Sequence, residues 1–149
     1  MKSLWIGALG LLLAGCAAAA EAPAPREIQA GVDVCEFCHM TADDPDRAAQ
    51  WVEPDGRVRV FDEPGCLVTW LAPRPDAQGT AFVADALGGG WIPAAEATFV
   101  RGATRTGMGF NVLAYRDAGA AAAVAQARDG TVKSWSELQR EGVEDAHAH

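Results

Sequence analysis

The sequence predicts an α+β fold of two small ββαβ units in tandem, and three observations point to it. Apolar and polar residues alternate over short runs, as half-buried strands require. Two such runs flank Pro54-Asp55-Gly56, and Asp-Gly between alternating segments is a strong hairpin signal. The third observation is a repeated junction. Phe61-Asp62-Glu63-Pro64-Gly65 in one half and Tyr115-Arg116-Asp117-Ala118-Gly119 in the other both read as strand end, acid, helix start.

Taken in order, Ala49-Gln50-Trp51-Val52-Glu53 reads as the first strand and Arg57-Val58-Arg59-Val60-Phe61-Asp62 as its hairpin partner. Pro64 suits the first turn of a helix, because its missing N–H would have no partner there anyway. The apolar run from Cys66 to Leu71 continues that helix, with Asp62 or Glu63 near its cap, until Pro73 and Pro75 stop it. Ala81-Phe82-Val83-Ala84-Asp85 is the next strand, and Gly88-Gly89-Gly90 a loop. In the second half, Ala97 to Arg101 and Phe110 to Tyr115 read as strands, and Ala118 to Arg128 as an Ala-rich helix. Thr131 to Trp135 reads as a last strand. A single α+β domain without a true repeat would accommodate the same elements.

The chain ends carry a different message. Lys2 precedes an apolar run from Leu4 to Leu13, and Leu13-Ala14-Gly15-Cys16 follows. The run is too short to span a bilayer, which takes about 20 apolar residues. It suits the apolar region of a signal peptide cleaved before Cys16, with acyl chains on that thiol. Residues 1–15 are therefore expected to be a lipoprotein signal peptide. Residues 16–30 follow as the lipidated N-terminus and a flexible Ala/Pro tether. Residues 31–87 form the first unit and 88–140 the second. Residues 141–149 are expected to be a disordered acidic tail ending in His147 and His149. Ala17 after Cys16, with no Asp there, favours an outer-membrane address facing the periplasm.

The net charge of −8 becomes −9 once Lys2 leaves with the signal, and a polyanion of this size repels nucleic acid. No carboxylate pair, Ser-His-Asp set or phosphate-cradling glycine loop stands out, so no enzyme activity is expected. Chemistry concentrates instead in Cys35-Glu36-Phe37-Cys38-His39-Met40. Two thiols, an imidazole and a thioether fall within six positions. Met108 sits far away in Thr106-Gly107-Met108-Gly109, a glycine-rich setting that core packing explains poorly. Thiolate and thioether donors together select Cu(I). Cys35 and Cys38 are the leading ligand candidates, followed by Met40 and Met108 and then His39. Cys66, on an apolar helix face, is as readily an inert buried thiol as an additional ligand.

Three other readings fit parts of the motif. Cys35-x-x-Cys38-His39 is the attachment signature of haem c, with Met108 available as distal ligand. Strands after the motif argue against this, since small cytochromes c are helical. A dithiol–disulfide oxidoreductase would also use Cys35 and Cys38, but the motif opens no recognisable helix. A structural zinc site could draw on Cys35, Cys38, Cys66 and His39, yet it leaves both methionines unexplained.

With these residues assembled, the chain resembles the NosL family, lipoproteins that serve as copper-delivery accessories to nitrous oxide reductase. The resemblance rests on Cys35-x-x-Cys38-x-Met40, Phe61-Asp62-Glu63-Pro64-Gly65-Cys66, Trp91-Ile92 with Phe99-Val100, and Thr106-Gly107-Met108-Gly109. It implies a ββαβ pseudo-repeat, Cu(I) binding, and delivery toward the reductase's copper–sulfide centre. Many members have Gly where this chain has His39, and Pro is frequent where it has Gly107.

Overall fold

The computed structural model describes residues 22–143. The expected signal peptide, the lipid-bearing Cys16, and His147 and His149 lie outside the described residues.

Strand β1 (Ala49–Val52) is the first strand of the first unit. It pairs antiparallel with β2 (Val58–Phe61) on one side and with β3 (Thr80–Ala84) on the other. Helix α1 (Pro64–Leu71) links β2 to β3. The second unit begins with β5 (Thr98–Arg101), after an intervening strand β4 (Trp91–Pro93) and a 3-10 turn (Ala94–Glu96). There β6 (Val112–Tyr115) and β7 (Thr131–Ser134) flank β5, and α2 (Ala118–Ala127) links them. Helix α3 (Trp135–Glu141) follows. The two sheets run β2-β1-β3-β4 and β6-β5-β7. Each unit puts its first strand in the middle, the hairpin partner on one side and the post-helix strand on the other. This is the expected ββαβ pseudo-repeat.

Three features depart from expectation. Strand β4 pairs with β3 through Val83↔Ile92, so the first sheet extends past residue 88, where the second unit was expected to begin. Trp135, expected to end a strand, instead opens α3. Ser134 caps that helix by accepting from the Glu137 N–H while the Glu137 side chain accepts from the Ser134 N–H. The chain is also held earlier than the tether suggested. The Arg26 N–H donates to Gln50 Oε1 at 3.0 Å, and Gln50 Nε2 donates to the Arg26 carbonyl at 2.8 Å. Gln50 lies fully buried on β1, and this exchange satisfies its amide as a buried polar group requires.

The two helices of the repeat contribute very differently. Helix α1 buries every residue except Thr69, whose hydroxyl donates back to the Gly65 carbonyl at 2.9 Å. A helix apolar on all sides must be enclosed. It packs on β1 and β2 of its own unit and on β6 of the other. Leu67, Val68 and Leu71 join Phe61, Ile92, Phe99 and Val112 in one core shared by both units. A fully buried side chain of this size contributes roughly 1.5–3 kcal/mol. Helix α2 buries only Ala121 and Ala125, in a smaller cluster with Val100, Leu113 and Tyr115. The helix that carries Cys66 is therefore the more deeply held. No helix among the described residues is long and apolar enough to cross a membrane.

A three-thiol candidate metal centre

The Cys35–Met40 segment is a pinched loop. Val34 and Thr41 form an isolated antiparallel bridge, the Cys35 N–H donates to the Met40 carbonyl at 2.8 Å, and the His39 N–H donates to the Cys35 carbonyl at 3.0 Å. Closing so tight a loop needs one residue in the left-handed region, and His39 takes it with φ 62°. Glycine adopts that conformation without steric cost. The loop is tied down at the β2 edge, where the Glu36 N–H donates to the Val60 carbonyl at 2.8 Å. Arg59 adds an ion pair to Glu36 at 2.7 Å. The Phe37 ring meets Phe110 of the second unit at 6.2 Å between centroids.

Cys66 reaches the loop from the first turn of α1. The sulfur atoms of Cys35, Cys38 and Cys66 all lie within 4.8 Å of one another, and all three thiols are free. Cys35 and Cys66 are completely buried, while Cys38 is half-exposed, so the cluster opens on one side. The sequence offered no means of counting Cys66 in, because it stands 28 positions beyond Cys38 on a helix face that core packing explains equally well.

The three thiols are unequal. The Cys66 thiol donates toward Cys35, with help from backbone N–H groups, and holds Cys35 down at about 5. Burial pushes Cys38 up to about 11. Cys66 is driven strongly upward, first by the hydrogen bond it gives to Cys35 and then by its own burial. At neutral pH the cluster thus contains one thiolate between two protonated partners. A soft cation entering it can displace protons and find thiolate donors.

The remaining candidates take separate places. Met108 is half-buried and packs on the core that holds Cys35 and Cys66. Met40 is 48 % exposed and lines a groove of about 160 Å³ together with Asp43, Asp44, Asp62 and Glu63. His39 is exposed, and the group of donor atoms found within 4.8 Å of one another among the described residues does not include it. A four-ligand site of three thiolates and this imidazole is therefore not assembled. Of the two acids expected near the α1 cap, Glu63 occupies the cap position, and it makes no side-chain bond to the helix. Burial, with the Cys35 charge nearby, raises the Asp62 carboxyl.

The thiol loop and α1 come from the first unit and Met108 from the second, and Met108 packs on the core that the two units share. No protein among the curated sequences matches the chain. Among solved structures it is similar to the crystal structure of the copper chaperone NosL from Shewanella denitrificans, with a TM-score of 0.67 and 18% identity. That match covers 80% of this chain and 98% of the other, and it shows a shared fold. The NosL family model matches residues 25–143, which take in both units and every thiol of the cluster, and the chain belongs to the NosL family.

Proposed function

We propose that this protein is a Cu(I) carrier that takes up the ion at Cys35 and Cys38 and passes it to a copper enzyme. The observation that carries this reading is the convergence of three free sulfur atoms within 4.8 Å at a site open on one side. Soft donors favour Cu(I) over harder divalent ions. A closed four-coordinate shell would suit permanent storage, whereas an open thiol cluster can exchange its cargo. In this scheme Cys35 and Cys38 bind as thiolates, Met108 supplies a thioether from the second unit, and Cys66 supports the Cys35 thiolate from beneath. Met40, exposed at the acidic groove, is the donor through which the ion leaves. His39 stays outside the set.

The acceptor in this proposal is nitrous oxide reductase or its maturation machinery, as family membership suggests, and the protein works in the periplasm, held to the outer membrane by a lipid on Cys16. A haem reading fares worse. Thioether bonds to a macrocycle need both cysteines accessible, and Cys35 is completely buried against Cys66. A dithiol oxidoreductase would likewise need an attackable thiol, and the thiolate of this cluster is the buried one.

Anaerobic titration with Cu(I) in competition with a chromophoric Cu(I) chelator tests the reading. One ion bound per chain and loss of that binding in a Cys35→Ala, Cys38→Ala double variant are expected. Wild-type affinity in the double variant would sink the site assignment, and an absorption band surviving denaturation would restore covalent haem. Detergent fractionation and mass spectrometry of the N-terminal peptide test the lipid on Cys16. Copper transfer to apo nitrous oxide reductase tests the acceptor.

A further inference from the structure

Glu63 is the unexplained residue at this site. It is 1 % exposed, sits at the N-cap of α1, and leaves its own helix uncapped. Its Oε1 instead accepts from the Met108 N–H at 3.2 Å, across 45 positions of sequence. The Thr106 side chain and the Val112 N–H also face the carboxyl, which burial nonetheless raises above the usual carboxylate range. Thr106 is locked in turn, because its hydroxyl accepts from the Asn111 N–H at 2.9 Å and its own N–H donates to Asn111 Oδ1 at 3.0 Å. The Thr106–Asn111 loop is thus closed on itself and fastened to the first unit through one buried acid.

The other carboxylate oxygen, Oε2, is buried and has no partner among the described residues. Burying a carboxylate with an unmet oxygen opposes folding, and a neutral side chain could hold the loop more cheaply. We propose that Glu63 is the positioning residue that holds Met108 and its loop against the core from which the thiols project. This rests on the Cu(I) reading above. Glu63 touches the loop and not the ion. It acts as outer partners of metal ligands generally do, by fixing the orientation of a donor that would otherwise wander. Met108 has particular need of this, since it lies between Gly107 and Gly109 and has no regular element to hold it.

The test reads Met108 directly, with and without copper. In full-length protein labelled with 13C on the methionine methyl groups, Glu63→Ala is expected to narrow the Met108 methyl resonance and move it to the free-chain position. The Met40 methyl stays where it was and serves as the internal control. Glu63→Gln retains an acceptor oxygen and retains the Met108 resonance. Should Glu63→Ala fail to fold, Glu63→Asp shortens the reach by one methylene and must release the methyl in the same way. In Cu(I) titrations, Glu63→Ala is expected to weaken binding about 10- to 100-fold, matching Met108→Leu. The double variant should then be no weaker than either single. An unmoved Met108 methyl in Glu63→Ala, or losses that multiply in the double variant, would overturn the proposal. If the methyl responds as expected and the wild type takes up no Cu(I), the positioning role stands and the copper reading falls.

Discussion

Gly65 lies so close to Phe110 that a Cβ on the glycine would overlap the Phe110 side chain. Gly65 opens the helix that carries Cys66, and Phe110 closes the loop that carries Met108. Their contact is where the two units touch behind the thiols. Glycine is required there for proximity, since its backbone is ordinary helix. Gly65→Ala must push the Met108 loop away from α1. Overpacking of this kind costs roughly 1–3 kcal/mol. The expected result is a lower denaturant midpoint with an unchanged slope, together with weaker Cu(I) binding. A variant as stable as wild type would mean the loop yields freely.

Cys66 is placed to act on Cys35 rather than on solvent. It is fully buried, and its hydrogen bond is the largest influence holding the Cys35 thiol near 5. Cys66→Ala removes that bond. The acid midpoint of thiolate absorbance in the ultraviolet should then rise from about 5 toward the free-thiol value of about 8.5. An unchanged midpoint would show that backbone donors alone set the Cys35 charge.

Copper affinity should follow the proton inventory of the cluster. Cys35 is already a thiolate above about pH 5, and Cys38 keeps its proton up to about pH 11. Between those limits, capture of Cu(I) by both expels a single proton, from Cys38. The logarithm of the binding constant should therefore rise by about one per pH unit in that window. Below about pH 5 Cys35 is protonated as well, and the slope steepens to about two. A slope of about two between those limits, steepening to about three below pH 5, would mean that Cys66 also gives up its proton and ligates. A flat profile would exclude thiolate capture.

The strands, the first hairpin and both repeat helices were legible because each carries a local signal. Asp55-Gly56, Pro64 and Asp117 punctuate the chain where turns or helices begin, and Asp117 does cap α2 by accepting from the Ala120 N–H at 2.6 Å. Helix α3 was legible in principle too. Ser134-Trp135-Ser136-Glu137 is a capping box, but β-prone Thr131, Val132 and Trp135 masked it. Strand β4 has only three residues, and its partner β3 lies across the Gly88–Gly90 loop, so periodicity could not reveal it. At the site, the Cys35 and Cys38 pair was readable from spacing alone. Glu63 and Cys66 were not, because what matters about them is what they meet in space. A carboxylate before Pro64 reads as a cap, and only the tertiary fold turns it toward Met108.

His39 separates the haem and zinc readings from the copper one. It lies in the left-handed region at φ 62°, is exposed, and falls outside the thiol cluster. His39→Gly relieves the strained backbone but loosens the unfolded chain, and the two effects nearly cancel, to within about 0.5 kcal/mol. His39→Val, a β-branched residue in the same conformation, should cost about 1–2 kcal/mol. Both variants should bind Cu(I) as tightly as wild type, because neither removes a donor from the cluster. Urea unfolding and the chelator competition together read the two effects apart. A sharp loss of copper from His39→Gly, with stability unchanged, would bring the imidazole back into the ligand set and require the loop to turn inward on loading.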